Sequence, residues 1–358
     1  MRIGIDAKRA YQNKSGLGNY SRDIISSLIK EEMTDIQLFT PEVKSQFYKP
    51  PKKIKVHTPK IKLLKNYWRL FGIKKIIQKE NIEIFHGLSN EIPIGLTKKT
   101  KSVVTIHDVI FKKHPYFYNY FDRLVYAKKT EYACKKANKI ISVSEQTKND
   151  LIYYFNVPPE KIEVIYQSCH EAFKTDLKNE NILNKYQIPD DFILYVGTIE
   201  KRKNLKLILK NILNKPEINL VCIGEKKSYY NDVLKFIKEK KINNNIIFLT
   251  LDSVNDLSDI YKKAKCLVYP SIYEGFGIPI IEALYSQIPV ITTNQPVFKE
   301  VGGDYCFYTN NDQELKNILD KIWIKKKTKN ILARKWAENF NSTKQAKQII
   351  NLYNELLK

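Results

Sequence analysis

The chain lacks several things, and each lack narrows its class. None of its apolar runs approaches membrane-spanning length, so any contact with a bilayer is expected to be peripheral. Its cysteines, Cys134, Cys169, Cys222, Cys266 and Cys306, form an odd, scattered set without a Cys-x-x-Cys pair, which argues against a disulfide framework. Several lie in apolar runs and read as small core residues of a protein kept in a reducing, cytoplasmic compartment. The first residues, Met1-Arg2-Ile3-Gly4-Ile5-Asp6, pass straight into a strand, and no signal peptide is expected. The full dinucleotide fingerprint Gly-x-Gly-x-x-Gly is missing, since Ser21 stands where the third glycine would fall after Gly16 and Gly18. A nicotinamide cofactor is disfavoured accordingly. Beyond two similar halves there is no internal repeat, and there is no low-complexity segment.

Negative charge is also short. Against 61 Lys and Arg stand 38 Asp and Glu, a formal charge of +23 in 358 residues. Such a balance suits an anionic partner: nucleic acid, an acidic membrane surface or a phosphorylated substrate. A compositional bias towards Lys, Asn, Ile and Tyr would give the same balance, and the lysines are spread rather than massed. The chain has no nucleic-acid recognition motif and no compact basic stripe. Its length suggests two domains.

What is present centres on Tyr269-Pro270-Ser271-Ile272-Tyr273-Glu274-Gly275-Phe276-Gly277-Ile278-Pro279-Ile280-Ile281-Glu282-Ala283-Leu284. Cys266 to Tyr269 reads as a short buried strand, and Pro279 suits the first turn of a helix. The loop between them, with Gly275 and Gly277, lies at the carboxyl end of a parallel strand, where open α/β sheets bind ligands. The helix start offers backbone N–H groups to an anionic or hydroxyl-rich ligand. Glu274 and Glu282 can point the same way, and a carboxylate accepts from two vicinal hydroxyls at once, as a sugar or ribose presents them.

The first half opens with a strand over 2–6, a loop carrying Ser15, Gly16 and Gly18, and a helix to about Lys30. Further strands are predicted at 36–40, 54–57, 82–86, 102–107 and 139–143, with helices near 66–79, 119–136 and 146–155. The alternation indicates a parallel sheet covered by helices. His86 and His107 fall at strand ends, and Ser144 suits the N-cap of the helix that follows. The segment 60–79 mixes Lys62, Lys65, Arg69, Lys74 and Lys75 with Leu63, Leu64, Tyr67, Trp68, Phe71 and Ile73. Such a helix can lie on lipid or pack its apolar stripe on the sheet. The aromatic, basic stretch 111–118, with Lys112 and Tyr116, suits a sugar or lipid-phosphate acceptor.

From about Gln167 to Asp191 polar residues dominate, and a linker is expected over 171–191. A strand over 192–197 then leads through Gly197 into Arg202-Lys203-Asn204 and a helix. Two basic side chains beside a glycine turn and a helix start can clamp a diphosphate. Strands at 219–223, 246–249 and 289–292 follow, then helices at about 312–326 and 328–358. The domains expected are 1–170, 192–340 and a C-terminal helix 341–358 returning to the first.

Several of these motifs resemble those of the family-four, group 1 glycosyltransferases. They are Gly16 and Gly18, Thr105-Ile106-His107-Asp108, Val143-Ser144-Glu145, Gly197 with Arg202-Lys203-Asn204, Glu274-Gly-Phe-Gly with Glu282, and Pro296 to Asp304. Two departures stand out: Ser15 where the family has a glycine, and Tyr285-Ser286-Gln287-Ile288 where it usually has a glycine before the next strand. The resemblance implies two Rossmann-like domains facing a central cleft, the GT-B architecture. It also implies a retaining transferase that moves a hexose or related sugar from a UDP- or GDP-sugar to a glycan or lipid-linked acceptor, in cell-surface polysaccharide synthesis such as lipopolysaccharide.

In that picture Glu282 holds the ribose and Arg202 and Lys203 the diphosphate. Glu274, His107 and the backbone of Gly275, Phe276, Gly277 and Ile278 address the sugar. Gly16, Gly18 and Gly197 let backbone approach the donor, and Asp108, Lys112 and Tyr116 lie on the acceptor side. No Asp-x-Asp pair occurs, so Arg202 and Lys203 are expected to do a metal's work, with no cofactor. The expected location is the cytoplasm, with a peripheral contact on the inner, anionic face of the membrane. Two other readings remain open at this point: a nucleotide-sugar epimerase or glycan phosphorylase of the same fold, and a basic nucleic-acid-binding protein without catalysis.

Overall fold

The computed structural model describes residues 1–14, 16–31, 35–176 and 178–358, with only the backbone of Lys62 and Asn66. The chain divides into two units, Met1–Ser168 together with Asn341–Lys358, and Cys169–Phe340. Each unit is a doubly wound α/β domain, the class the sequence indicates.

The first unit holds β1 (Ile3–Asp6), β2 (Ile36–Phe39), β3 (Lys55–His57), β4 (Ile84–Gly87), β5 (Lys101–Ile106), β6 (Lys139–Ser142) and β7 (Ile162–Val164). They pair in the order β3-β2-β1-β4-β5-β6-β7, all parallel. The second unit orders β8 (Ile193–Val196), β9 (Leu220–Ile223), β10 (Ile246–Leu249), β11 (Cys266–Tyr269), β12 (Val290–Thr293) and β13 (Phe307–Thr309) as β10-β9-β8-β11-β12-β13, again all parallel. The central strands β1, β4, β8 and β11 are buried along their whole length because helices cover both faces of a parallel sheet. In each sheet the strand order reverses once, between β1 and β4 and between β8 and β11. Ligands bind outside the carboxyl ends of the strands at such a reversal.

Several expectations need correction. The edge strands β7 and β13 escaped the sequence reading, being three residues long and only partly buried. The stretch 171–191 is not a linker. It belongs to the second unit, where Phe173 and Ile182 are fully buried and Lys178 and Asn179 donate backbone N–H groups to Asp259. The helix expected over 328–358 is two, Ile331–Ala337 and Ser342–Leu357, because the Asn341 side chain caps the second by accepting from Lys344 N. The glycine loop of the first half is shorter than expected. A five-residue helix α1 (Lys8–Gln12) follows β1, and α2 (Gly16–Lys30) starts at Gly16, so Gly18 lies in its first turn. Ser15 lies outside the described residues. A Cβ at Gly18 would stand 1.9 Å from Asn13 O, so close approach of backbone demands that glycine, while one at Gly16 would meet nothing. Gln287, where the family usually has glycine, adopts φ +63°, the left-handed conformation glycine would supply without strain.

The segment 60–79 is helical from Lys65 to Lys79, with a π-helical turn over Trp68–Gly72. Arg69 is not part of a solvated basic face. It is buried and paired with Asp6 and Glu91. Ile61, Leu63, Leu64 and Tyr67 are exposed, Leu63 at 95 %. Among the described residues no helix is long and apolar enough to cross a membrane. Among the described residues no disulfide joins the cysteines, and all but the half-buried Cys306 are buried.

The helix Ser342–Leu357 packs Ala346, Ile349, Leu352 and Tyr353 against Tyr20, Ile24, Ile25 and Leu28 of α2 in one core. Inside that core the Tyr353 hydroxyl meets His86 Nδ1 at 2.6 Å, His86 Nε2 meets Thr105 Oγ1 at 2.9 Å, and Thr105 Oγ1 meets the Tyr20 hydroxyl at 3.2 Å. Burial pushes His86 down to about 3, so its ring is neutral and must find its partners inside the protein. Tyr353→Phe leaves His86 Nδ1 without one, at a cost of about 1–3 kcal/mol. Amide exchange in β1 and β4 should accelerate by about 5- to 150-fold with the second unit unaffected. Unchanged exchange would show that the network does not hold the helix.

Candidate active site

The residues expected to meet a donor gather at the reversal of the second sheet. Gly197 follows β8, and a short 3-10 turn, Lys201–Lys203, ends in Asn204 at φ +55° before the helix Leu205–Ile212. Asparagine tolerates that left-handed position, which explains why Asn follows Arg-Lys. Opposite, the loop after β11 is fastened to this turn by Ile272 N donating to Arg202 O at 2.9 Å. Gly277, at φ +133°, turns the chain into the helix Ile278–Tyr285, with Pro279 in its first turn.

Three charged side chains meet there. Arg202 NH1 lies 2.6 Å from Glu274 Oε2, and Lys203 Nζ lies 2.6 Å from Glu274 Oε1. All three are at most 16 % exposed. Arg202 also donates to Glu200 Oε1 at 2.5 Å and to Tyr273 O at 2.8 Å. Lys203 also donates to the Tyr269 hydroxyl at 2.8 Å, and the Ser271 hydroxyl donates to Glu274 Oε1. Burial alone would raise the Glu274 carboxyl, but Arg202 and then Lys203 outweigh it and hold it at about 2. Burial lowers Lys203 and Glu274 opposes it, whereas Arg202 is raised despite burial because Glu274 and Glu200 face it. The structure thus joins Glu274, Arg202 and Lys203 in one hydrogen-bonded cluster. Sequence reasoning missed Glu200 and Tyr269 as members, although Glu200 stands two residues before Arg202 in an otherwise basic run.

The remaining candidates of this unit lie around the cluster. Glu282, in the second turn of the helix, is 9 % exposed and accepts from the Tyr261 hydroxyl at 2.8 Å, a partner the sequence did not reveal. Gly275 and Phe276 are buried, and the Phe276 ring centroid lies 5.9 Å from that of Phe340. Ile278 opens the helix.

In the first unit His107 follows β5. Its Nε2 donates to Leu88 O at 2.9 Å, which leaves Nδ1 as the acceptor facing the Gln167 amide at 3.4 Å, and its ring meets Tyr20 edge-on at 4.6 Å. Burial pulls it down to about 4, so it is neutral at pH 7, a hydrogen-bonding imidazole rather than a proton donor. Asp108 Oδ1 accepts from Ile110 N at 3.2 Å and shapes the loop. Ser144 caps the next helix by accepting from Thr147 N at 3.0 Å, as its sequence position suggests. Lys112 stands over the Phe155 ring at 5.5 Å, and the 63 % exposed Tyr116 bonds His114 at 2.8 Å. The structure does not gather Lys112 and Tyr116 into the His107 network.

This fold is shared. Sucrose-phosphate synthase from Thermosynechococcus elongatus superposes with a TM-score of 0.79 at 16 % identity, covering 100 % of this chain and 99 % of the other. HepE of Anabaena in complex with UDP gives 0.73 at 16 % identity, covering 99 % and 100 %. WaaG, a glycosyltransferase involved in lipopolysaccharide biosynthesis, gives 0.70 at 17 % identity, covering 97 % and 95 %. The class is therefore the GT-B fold.

The sequence goes further. Residues 178–342 match the family described as Glycosyl transferases group 1, and residues 14–169 match Glycosyltransferase Family 4. The O-antigen chain mannosyltransferase RfbU of Salmonella typhimurium is 30 % identical over 252 residues, 70 % of this chain and 66 % of that protein. The O-antigen chain mannosyltransferase B of Escherichia coli is 27 % identical over 374 residues, 95 % of this chain and 96 % of that protein. The chain belongs to the group 1 glycosyltransferases and is a glycosyltransferase.

The His107 geometry carries a direct test. Because its folded value lies below the ordinary 6.5, the neutral ring favours the fold above about pH 6.5, and this contribution is lost as pH falls towards 4. Ring nitrogen NMR should find the Nε2–H tautomer from pH 5 to 8 and a midpoint near 4. A midpoint near 6.5 would mean that the ring is solvated instead.

Proposed function

We propose that the protein transfers a hexosyl group, with mannosyl the first to test, from a nucleoside-diphosphate sugar to a glycan or lipid-linked acceptor in the synthesis of a cell-surface polysaccharide. One observation carries the reading: two largely buried cations share a single carboxylate at the reversal of the second sheet. The group 1 family membership, the O-antigen mannosyltransferase relatives and the UDP bound to the HepE neighbour support it.

The chemistry follows from the charges. A donor diphosphate takes the place of Glu274 beside Arg202 and Lys203, and the freed carboxylate, ionised throughout, accepts from sugar hydroxyls. Glu282 accepts from the ribose hydroxyls. As the bond from the anomeric carbon to the diphosphate oxygen breaks, the electron pair leaves with the diphosphate. Arg202 meets the growing charge with its planar fork and Lys203 adds a second positive point, so no divalent metal is required. The acceptor hydroxyl attacks from the same face, and its proton passes to a diphosphate oxygen. The sugar keeps its anomeric configuration, and His107, neutral, positions the donor rather than protonating it.

Nucleotide release from a panel of UDP-, GDP- and ADP-sugars, GDP-mannose among them, identifies the donor. With that donor, Arg202→Ala should lose about 100- to 1,000-fold in kcat, roughly 2.7–4 kcal/mol. Its KM should rise less, and Arg202→Lys should recover only part of the loss. Glu274→Gln should lower kcat yet bind the free nucleoside diphosphate at least as tightly as the wild type, and EDTA should leave the rate unchanged. Wild-type turnover by Arg202→Ala, or activity abolished by EDTA and restored by manganese, would overturn the assignment.

The acceptor side adds a membrane expectation. Exposed Ile61, Leu63, Leu64 and Tyr67 adjoin Lys60 and Lys65, apolar side chains within a basic rim that suit the surface of an anionic bilayer. Co-sedimentation with acidic vesicles should fade at high salt. Equal binding to neutral vesicles would reject this contact.

A further inference from the structure

The first sheet has its own reversal, between β1 and β4, and its charges do not balance. Asp6, the last residue of β1, accepts from Arg69 Nε at 3.1 Å and NH2 at 2.5 Å through Oδ2, and from Lys8 N at 3.1 Å through Oδ1. Glu91, just beyond β4, takes Arg69 NH1 on one oxygen and Lys129 Nζ, at 3.3 Å, on the other. Arg69 and Lys129 thus occupy both carboxylates. Lys8 and Arg9 remain, and among the described residues neither side chain makes a hydrogen bond or an ion pair. Arg9 Nε and Gln12 Nε2 are both buried without any hydrogen-bond partner.

These three residues lie together on α1. Lys8 and Gln12 are one turn apart, as are Arg9 and Gln12. The charge of Arg9 is felt by Lys8 on one side and by His107 on the other, which sets α1 beside the imidazole expected to face the sugar. A buried N–H without a partner is expensive, and two neighbouring cations whose nearby carboxylates, Asp6 and Glu91, are already engaged by Arg69 and Lys129 repel each other. A neutral sugar would satisfy the donors but not the charge. A phosphate does both, since it offers several acceptor oxygens, a geometry that matches the guanidinium fork, and negative charge.

We propose that Lys8, Arg9 and Gln12 form an anion-binding subsite at the carboxyl ends of β1 and β4 that takes a phosphate group carried by the acceptor. The proposal rests on the reading of the protein as a transferase acting on a glycan or lipid-linked acceptor. Its test needs no turnover, so failure of one is distinguishable from failure of the other.

Lys8 is its own reporter. Burial, and then the charge of Arg69, lower its ammonium to about 8, so at pH 8 about half of it is a reactive amine. An anion at hydrogen-bond distance raises a lysine by about 1 or more. Acylation of Lys8 at pH 8, followed by peptide mass spectrometry on the full chain, should therefore slow about fivefold or more when the subsite fills. The probes are inorganic phosphate, a hexose 1-phosphate and free hexose, each scored as the ratio of labelling rates with and without the probe.

Protection by phosphate and by the hexose phosphate, but not by free hexose, is expected. It should persist when Arg202 and Lys203 are both changed to Ala, and it should be lost in Arg9→Gln and in the milder Gln12→Met. The hexose phosphate should act at lower concentration than phosphate, because the group belongs to a substrate. Equal concentrations for the two would overturn the acceptor assignment. No protection by either, or protection that vanishes with Arg202 and Lys203, would overturn the subsite. If Arg9→Gln fails to fold, Gln12→Met alone decides.

Discussion

Charge compensation at the carboxyl ends of parallel strands is the constraint around which both units are built. A parallel sheet covered on both faces leaves its strand ends as the place where polar chemistry can reach solvent, and where the strand order reverses a gap opens between neighbouring loops. A cation buried there is costly unless a carboxylate faces it. In the second unit Glu274 does this for Arg202 and Lys203 together. In the first unit Asp6 and Glu91 do it for Arg69. Removing one member of such a buried set costs more than the set contributes, because the remaining charge is left desolvated and alone. The carboxylates thus hold these cations in place at the strand ends.

How much of this was legible in the sequence depended on the range of the interaction. Strand signals are local, so β1, β8 and β11 could be placed to within a residue or two, whereas the five-residue helix after β1 was too short to show a period. Glu274, Arg202 and Lys203 were legible because each stands in a short motif with its own turn chemistry. Their contact was not legible, since about seventy residues separate the two loops and only the pairing of β8 with β11 brings them together. Arg69 shows the same limit. Among seven basic residues in twenty it looked solvated, and only the fold reveals that its fork closes on Asp6, sixty-three residues away. The polar composition of 171–191 misled for the related reason that burial there is carried by a few residues, Phe173, Ile182 and Ile188, spaced too widely to form a pattern.

The histidines illustrate a second distinction, between a residue that sits at a strand end and one that serves there. His86 and His107 occupy equivalent positions by sequence. His86 is sealed between Tyr353 and Thr105 and ties the last helix to the sheet. His107 follows its strand, holds the Leu88 carbonyl and stands against Tyr20. Both are neutral for the same reason, burial, yet one belongs to the core and the other borders the reversal of the sheet.

The return of Ser342–Leu357 to the first unit carries a consequence for biosynthesis. The second unit is one continuous stretch of chain, whereas the first is completed only by a helix translated after all of the second. At about 5–20 residues per second, the face formed by Ile24, Ile25 and Leu28 waits on the order of ten seconds or more for its cover. The half that emerges first from the ribosome is thus the half that finishes folding last, and during that interval its apolar flank is open to chaperones and to neighbouring nascent chains.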